Sequence, residues 1–146
     1  MTAARGEVDV FVLDAATGAL LRHQRVANRV VTTGRNQIRD AVYDGTISPP
    51  IRFALGTGNT AVADGDTSLV NEIWRDVFAT KSKSTASVEY KYFLTSVTAN
   101  GYTLSEAGLF DAAVSGTMHA RVLLDPIVKT SGIAVLFVWT LTWSAA

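Results

Sequence analysis

The run Ile133-Ala134-Val135-Leu136-Phe137-Val138-Trp139-Thr140-Leu141-Thr142-Trp143 restricts what this chain can fold into more than any other stretch. Successive side chains of a β-strand point to opposite faces. Read that way, one face carries Ile133, Val135, Phe137, Trp139, Leu141 and Trp143. The other carries Ala134, Leu136 and Val138, then Thr140 and Thr142. The first half therefore suits burial on both sides and the second half burial on one. At about 3.3 Å per residue the run spans about 36 Å, long for a strand in a small domain. A membrane helix needs about 20 apolar residues, so the run is too short for one. It reads as the central strand of an all-β core.

A chain of 146 residues suits one domain, residues 1–146, with a core that needs no covalent staples. Hydrophobic residues make up 48% and charged ones 18%, too apolar for disorder. Such a chain leaves sticky surface when alone, which favours an oligomer or a larger assembly. Thirteen basic residues balance thirteen acidic ones, so no long-range field draws nucleic acid or anionic lipid. Cysteine is absent, which removes disulfides and thiolate metal sites. The first ten residues lack the apolar core of a secretion signal, so the expected product is made and kept in the cytosol, or leaves it within an assembly or by lysis.

Turn signals recur every 8–12 residues. Val8, Val10 and Val12 alternate with Glu7, Asp9 and Phe11, and Asp14 to Gly18 turns the chain back through Ala19 to Val26. Ile38, Ala41 and Val42 recur at helical spacing within Arg35 to Asp44, with Thr33 as the expected N-cap and Gly45 as the left-handed C-terminal cap. Pro49 and Pro50 break the pattern. A short strand over Ile51–Leu55 enters a Gly- and Asp-rich loop, and Ser68–Ile73 suits one helical turn. Lys81–Thr85 reads as a polar hairpin tip before the alternation of Val88, Tyr90, Tyr92 and Leu94. Asn100-Gly101 predicts a hairpin between Phe93–Ala99 and Tyr102–Asp111. Ser115-Gly116 predicts another, leading into Met118, Ala120, Val122 and Leu124 on a shared face. The class is all-β: a small antiparallel barrel or sandwich with one short helix. Met1 to Gly6, small in composition, suits an N-terminal arm.

Motifs for chemistry are weak. Gly56-Thr57-Gly58 lacks the third glycine and the βαβ rhythm of a dinucleotide loop, and the Gly-Lys-Ser/Thr ending of a phosphate loop. It reads as a tight turn. Asp64-Gly65-Asp66 with Glu72 lacks the ligand spacing of a calcium loop. His23 and His119, the two histidines, stand in alternating strands beside arginines and away from any nucleophile elbow, which suits exposed or interfacial imidazoles. Glu106 and Asp111, five apart, fall on opposite faces of a strand and cannot converge on a glycosidic bond. The aromatics Trp74, Trp139, Trp143, Tyr90, Tyr92 and Tyr102 allow a sugar platform, but protein contact and core suit them better. The reading is therefore not an enzyme, with no cofactor and no metal.

The segments Phe53–Thr60 (FALGTGNT) and Asp66–Ile73 (DTSLVNEI), with Leu104–Asp111 (LSEAGLFD), Gly116–Arg121 (GTMHAR) and Pro126–Thr130 (PIVKT), resemble small structural proteins of tailed bacteriophages. The similarity runs from about Asn28 to Trp143 and brings no catalytic residues with it. It implies a virion subunit: a capsid decoration (cement) protein built as a homotrimeric β-barrel on the capsid exterior, contacting the major capsid protein. The alternatives are a tail-fibre or baseplate attachment protein and, more remotely, a carbohydrate-binding receptor module. No nucleic acid and no membrane partner is expected. The side chains expected at subunit or capsid contacts are Arg5, Phe11, His23, Trp74, Phe110, His119 and Arg121, of types common at interfaces.

Overall fold

The computed structural model describes residues 2–145. Its elements in chain order are β1 (Thr2–Asp14), β2 (Leu20–Val30), α1 (Thr32–Asp44), β3 (Arg52–Gly56), β4 (Glu72–Val77), β5 (Thr80–Ser84), β6 (Ser87–Leu94), β7 (Thr103–Phe110), β8 (Met118–Val128) and β9 (Ile133–Ala145). All strand pairs are antiparallel, in the order β4-β3-β7-β8-β2-β1-β9-β6-β5. The all-β class with one short helix is therefore correct.

This single sheet curls until its two halves face each other. β2 makes the bend: it pairs with β1 as far as Asn28, then hands over to β8 through Arg29–Arg121 and Val30–Ala120. The enclosed core is built from the alternations visible in the sequence. Val8, Val10 and Val12 of β1 meet Tyr90, Tyr92 and Leu94 of β6 and Val135, Phe137 and Trp139 of β9. Across the gap Phe53 of β3 stacks on Tyr92 at 4.8 Å and tilts against Phe137 at 4.8 Å, so aromatic contacts join the two halves. β9 lies between β1 and β6, as its apolar run requires. Its outer face is less covered than expected, since Leu136 and Val138 are only half-buried.

Several local expectations need correction. Thr2 to Gly6 is no free arm but the start of β1, paired residue for residue with the end of β9; Met1 lies outside the described residues. The helix ends on left-handed Gly45 as expected, but Val31, not Thr33, occupies its N-cap. The Thr33 hydroxyl donates instead to the Met118 carbonyl of β8 at 2.6 Å, tying the helix to the sheet. Gly34 lets that contact form, because any β-carbon there would collide with the His119 backbone. Residues 68–73 form no helical turn; the segment ends by entering β4. Thr80–Ser84 is a strand, the turn falling at Ala86. Finally, Asn100-Gly101 closes no hairpin. β6 pairs with β9 while β7 pairs with β3 and β8, so residues 95–102 cross between the halves. Lys129, fully buried, holds this crossing: its ammonium donates to Asn100 Oδ1 at 2.7 Å and to the Thr130 carbonyl at 3.0 Å.

Candidate interaction surfaces

The expected contact residues separate into three groups. Phe110, His119 and Arg121 are buried within the protomer and make no outer surface, which corrects that part of the expectation. Phe110 lies beneath the Arg75 guanidinium, 3.7 Å from the ring centroid. His119 shares an Nε2 hydrogen bond with the Ser48 carbonyl at 2.9 Å, and burial pushes its pKa down. Strand alternation places both His119 and Arg121 opposite the main core, but the 45–71 chain and α1 cover that second face.

Arg121 organises that cover. Its Nη2 donates to Glu106 Oε2 and to the Thr60 carbonyl, both at 2.9 Å, and its Nη1 to Asp66 Oδ2 at 2.9 Å. Glu106 is fully buried and also accepts backbone N–H groups of Gly58 (3.1 Å), Val70 (3.1 Å) and Asn71 (2.8 Å). One ion pair thus pins both ends of the 57–71 loop onto β7 and β8. The tight Gly56-Thr57-Gly58 segment exists for this approach: a β-carbon at residue 58 would press on Glu106 Oε1 and Val70. Asp64 is used similarly, taking Arg29 Nη1 at 2.9 Å. Among the described residues no three His, Asp or Glu side chains converge as metal ligands would.

Trp74 forms the second group. It is half-buried and donates its indole N–H to the Tyr92 hydroxyl at 2.6 Å, bridging the gap between β4 and β6. Arg5, Phe11 and His23 remain outside. Arg5 is exposed on β1, while Phe11 and His23 stack at 4.6 Å with planes 16° apart. Asp9 accepts from His23 Nε2 at 2.8 Å (when that nitrogen carries the proton) and from Arg25 Nε at 2.9 Å. The Arg25 guanidinium, and then His23, hold its carboxyl below the usual range.

Register places further residues beside Phe11 that the sequence reading did not select. Phe11 stands opposite His23 on one side and Leu136 on the other, and Leu136 stands opposite Phe93. A row Phe93–Leu136–Phe11–His23 therefore crosses β6, β9, β1 and β2 on the convex face. The adjoining Leu13 and Leu20 stand opposite each other, Leu20 being 58% exposed. The next rows inward along the strands are Lys91–Val138–Asp9–Arg25 and Glu89–Thr140–Glu7–Ala27. One end of this face is thus apolar and the other charged. The signal was available in Glu7-Asp9-Phe11 and Glu89-Lys91-Phe93: in both strands the outward series passes from charged residues to an aromatic. Pairing them needed the register.

No family model, curated protein or solved structure matches this chain.

Proposed function

We propose that the protein is a structural subunit of a tailed-bacteriophage virion, a homotrimeric decoration protein that bridges major capsid subunits from the outside of the head. The observation that carries this reading is the row Phe93–Leu136–Phe11–His23 with Leu13 and Leu20 beside it, large side chains presented by a rigid sheet. Such apolar faces, rimmed by charge, are docking surfaces. The segments that carry the likeness to phage proteins support it: β3, the 57–71 loop, β7 and the first part of β8 form one unit tied by Glu106 and Arg121. Three copies around an axis present one modest contact three times, so avidity replaces individual strength.

The test is mass determination of the purified protein, followed by imaging of gold-labelled protein incubated with particles of the phage that encodes it. A trimer that coats heads in many copies, raising the temperature at which they burst, is expected. Label confined to the tail tip at low copy overturns the head assignment in favour of a tail-fibre or baseplate part. A monomer that attaches to no particle overturns the virion reading altogether.

A further inference from the structure

A cavity of about 580 Å³ opens at one end of the sandwich, well away from the convex face. Ile38 of α1, Ile47 of the following loop, and Leu141 and Trp143 of β9 give it apolar walls. Its charged lining is of one sign. Lys81 and Lys83 of edge strand β5 stand opposite Tyr90 and Val88, which face inward, and opposite residues of an antiparallel pair share a face. Both ammonium-bearing chains therefore lean over the hollow, and no carboxylate lines it among the described residues. The one lysine in an ion pair among those residues is Lys91. Tyr90, 5% exposed, also lines the wall and has no hydrogen-bonded neighbour acting on its hydroxyl; burial alone pushes its pKa up to about 12, so it stays a neutral donor.

Inward lysines on an edge strand also deter pairing with other sheets. That role needs only water beneath them. Here they overhang an apolar hollow whose size falls within the range of about 300–1,000 Å³ usual for small-molecule sites, with few polar groups to orient a ligand. We propose that this cavity binds an amphipathic monoanion, its unbranched apolar chain against Ile38, Leu141 and Trp143 and its carboxylate at Lys81 and Lys83. The Tyr90 hydroxyl supplies a further donor. This site is separate from the convex face, and the proposal does not rest on the virion reading, which particle imaging tests.

Calorimetry of the full chain with decanoate, decanol and decyltrimethylammonium provides the test, alongside quenching of tryptophan fluorescence by 10-bromodecanoate. Decanoate should bind one site saturably, about tenfold tighter than decanol, the scale of one charge-assisted contact. The quaternary cation should not bind. Quenching should vanish in Trp143→Phe, leaving Trp74 and Trp139 unaffected. Replacing both lysines, Lys81→Gln with Lys83→Gln, should weaken decanoate about tenfold and leave decanol unchanged. Absence of saturable binding, equal affinity for all three probes, or full affinity in the double variant overturns the proposal. So does release of decanoate when the protein self-associates, which would make a second copy the natural occupant.

Discussion

Arg121 reaches acceptors in three separate segments, Glu106 on β7, Asp66 and the Thr60 carbonyl, while being 1% exposed. Removing one member of such a buried pair leaves the other charge in a medium that solvates it poorly, at a cost of about 3–5 kcal/mol. Arg121→Met should therefore lower unfolding free energy by about that amount in urea titrations. It should also free the 57–71 loop, read as faster amide exchange at Val70 and Asn71, whose N–H groups Glu106 accepts. Unchanged exchange there would remove the clamp from the account. His119 gives a pH prediction. Its folded-state pKa is depressed, chiefly by burial, so the unfolded chain takes up a proton before the folded one does. Stability conferred by the neutral ring is present above about pH 6.5 and is lost as pH falls through the depressed value. His119→Gln, which keeps a donor for Ser48, should flatten the decline in stability between about pH 7 and 5. Neither residue's surroundings were legible in the sequence. Alternation put both on the face opposite Ala120 and Val122, and only the packing of α1 and residues 45–71 over β8 turns that face into interior.

At the level of elements, local signals and long-range ones fared differently. The β1–β2 and β7–β8 hairpins followed from turn chemistry at Gly18 and at Ser115-Gly116, because a tight turn fixes its own pairing. The Asn100-Gly101 turn carries the same chemistry, and Gly101 does adopt a left-handed φ of 88°. Yet the strands beside it are claimed by other partners: β9 offers β6 eight paired positions, from Ser87–Thr142 to Leu94–Val135. A turn motif specifies a reversal of direction and leaves the choice of sheet to burial. The helix start shows the same hierarchy. Thr33 has the chemistry of a cap, but its hydroxyl satisfies Met118 in β8, and the helix gains tertiary anchorage in place of a local bond. The sequence hides the opening of β1 because Thr2 to Gly6 is short and weakly patterned. Its order comes from β9, whose long apolar run extends far enough to pair with it.

For the whole molecule, the consequential feature is a sheet whose outer face is not uniformly polar. Phe93 is 46% exposed, and its row on β9 and β1 continues with half-buried Leu136 and Phe11. Its exposure means a substitution there forfeits little of the core: Phe93→Glu should shift unfolding free energy by no more than about 0.5 kcal/mol. If the convex face docks as proposed, the same change sets a carboxylate against an apolar partner. An interfacial charge left without a counter-ion costs several kcal/mol, enough to lower association by two or more orders of magnitude. Phe93→Glu is thus expected to keep a cooperative unfolding transition while losing self-association or attachment to particles, measured by light scattering and sedimentation with capsids. Val114→Glu is the matched control. Val114 is 79% exposed in the β7–β8 turn and lies outside the row, so it receives the same new charge without reaching the contact. If both variants assemble normally, the convex face is not the docking surface. If both fail alike, net charge governs assembly and not this patch. Loss in Phe93→Glu alone would tie assembly to the one face of the sheet where aromatic side chains interrupt an otherwise charged pattern.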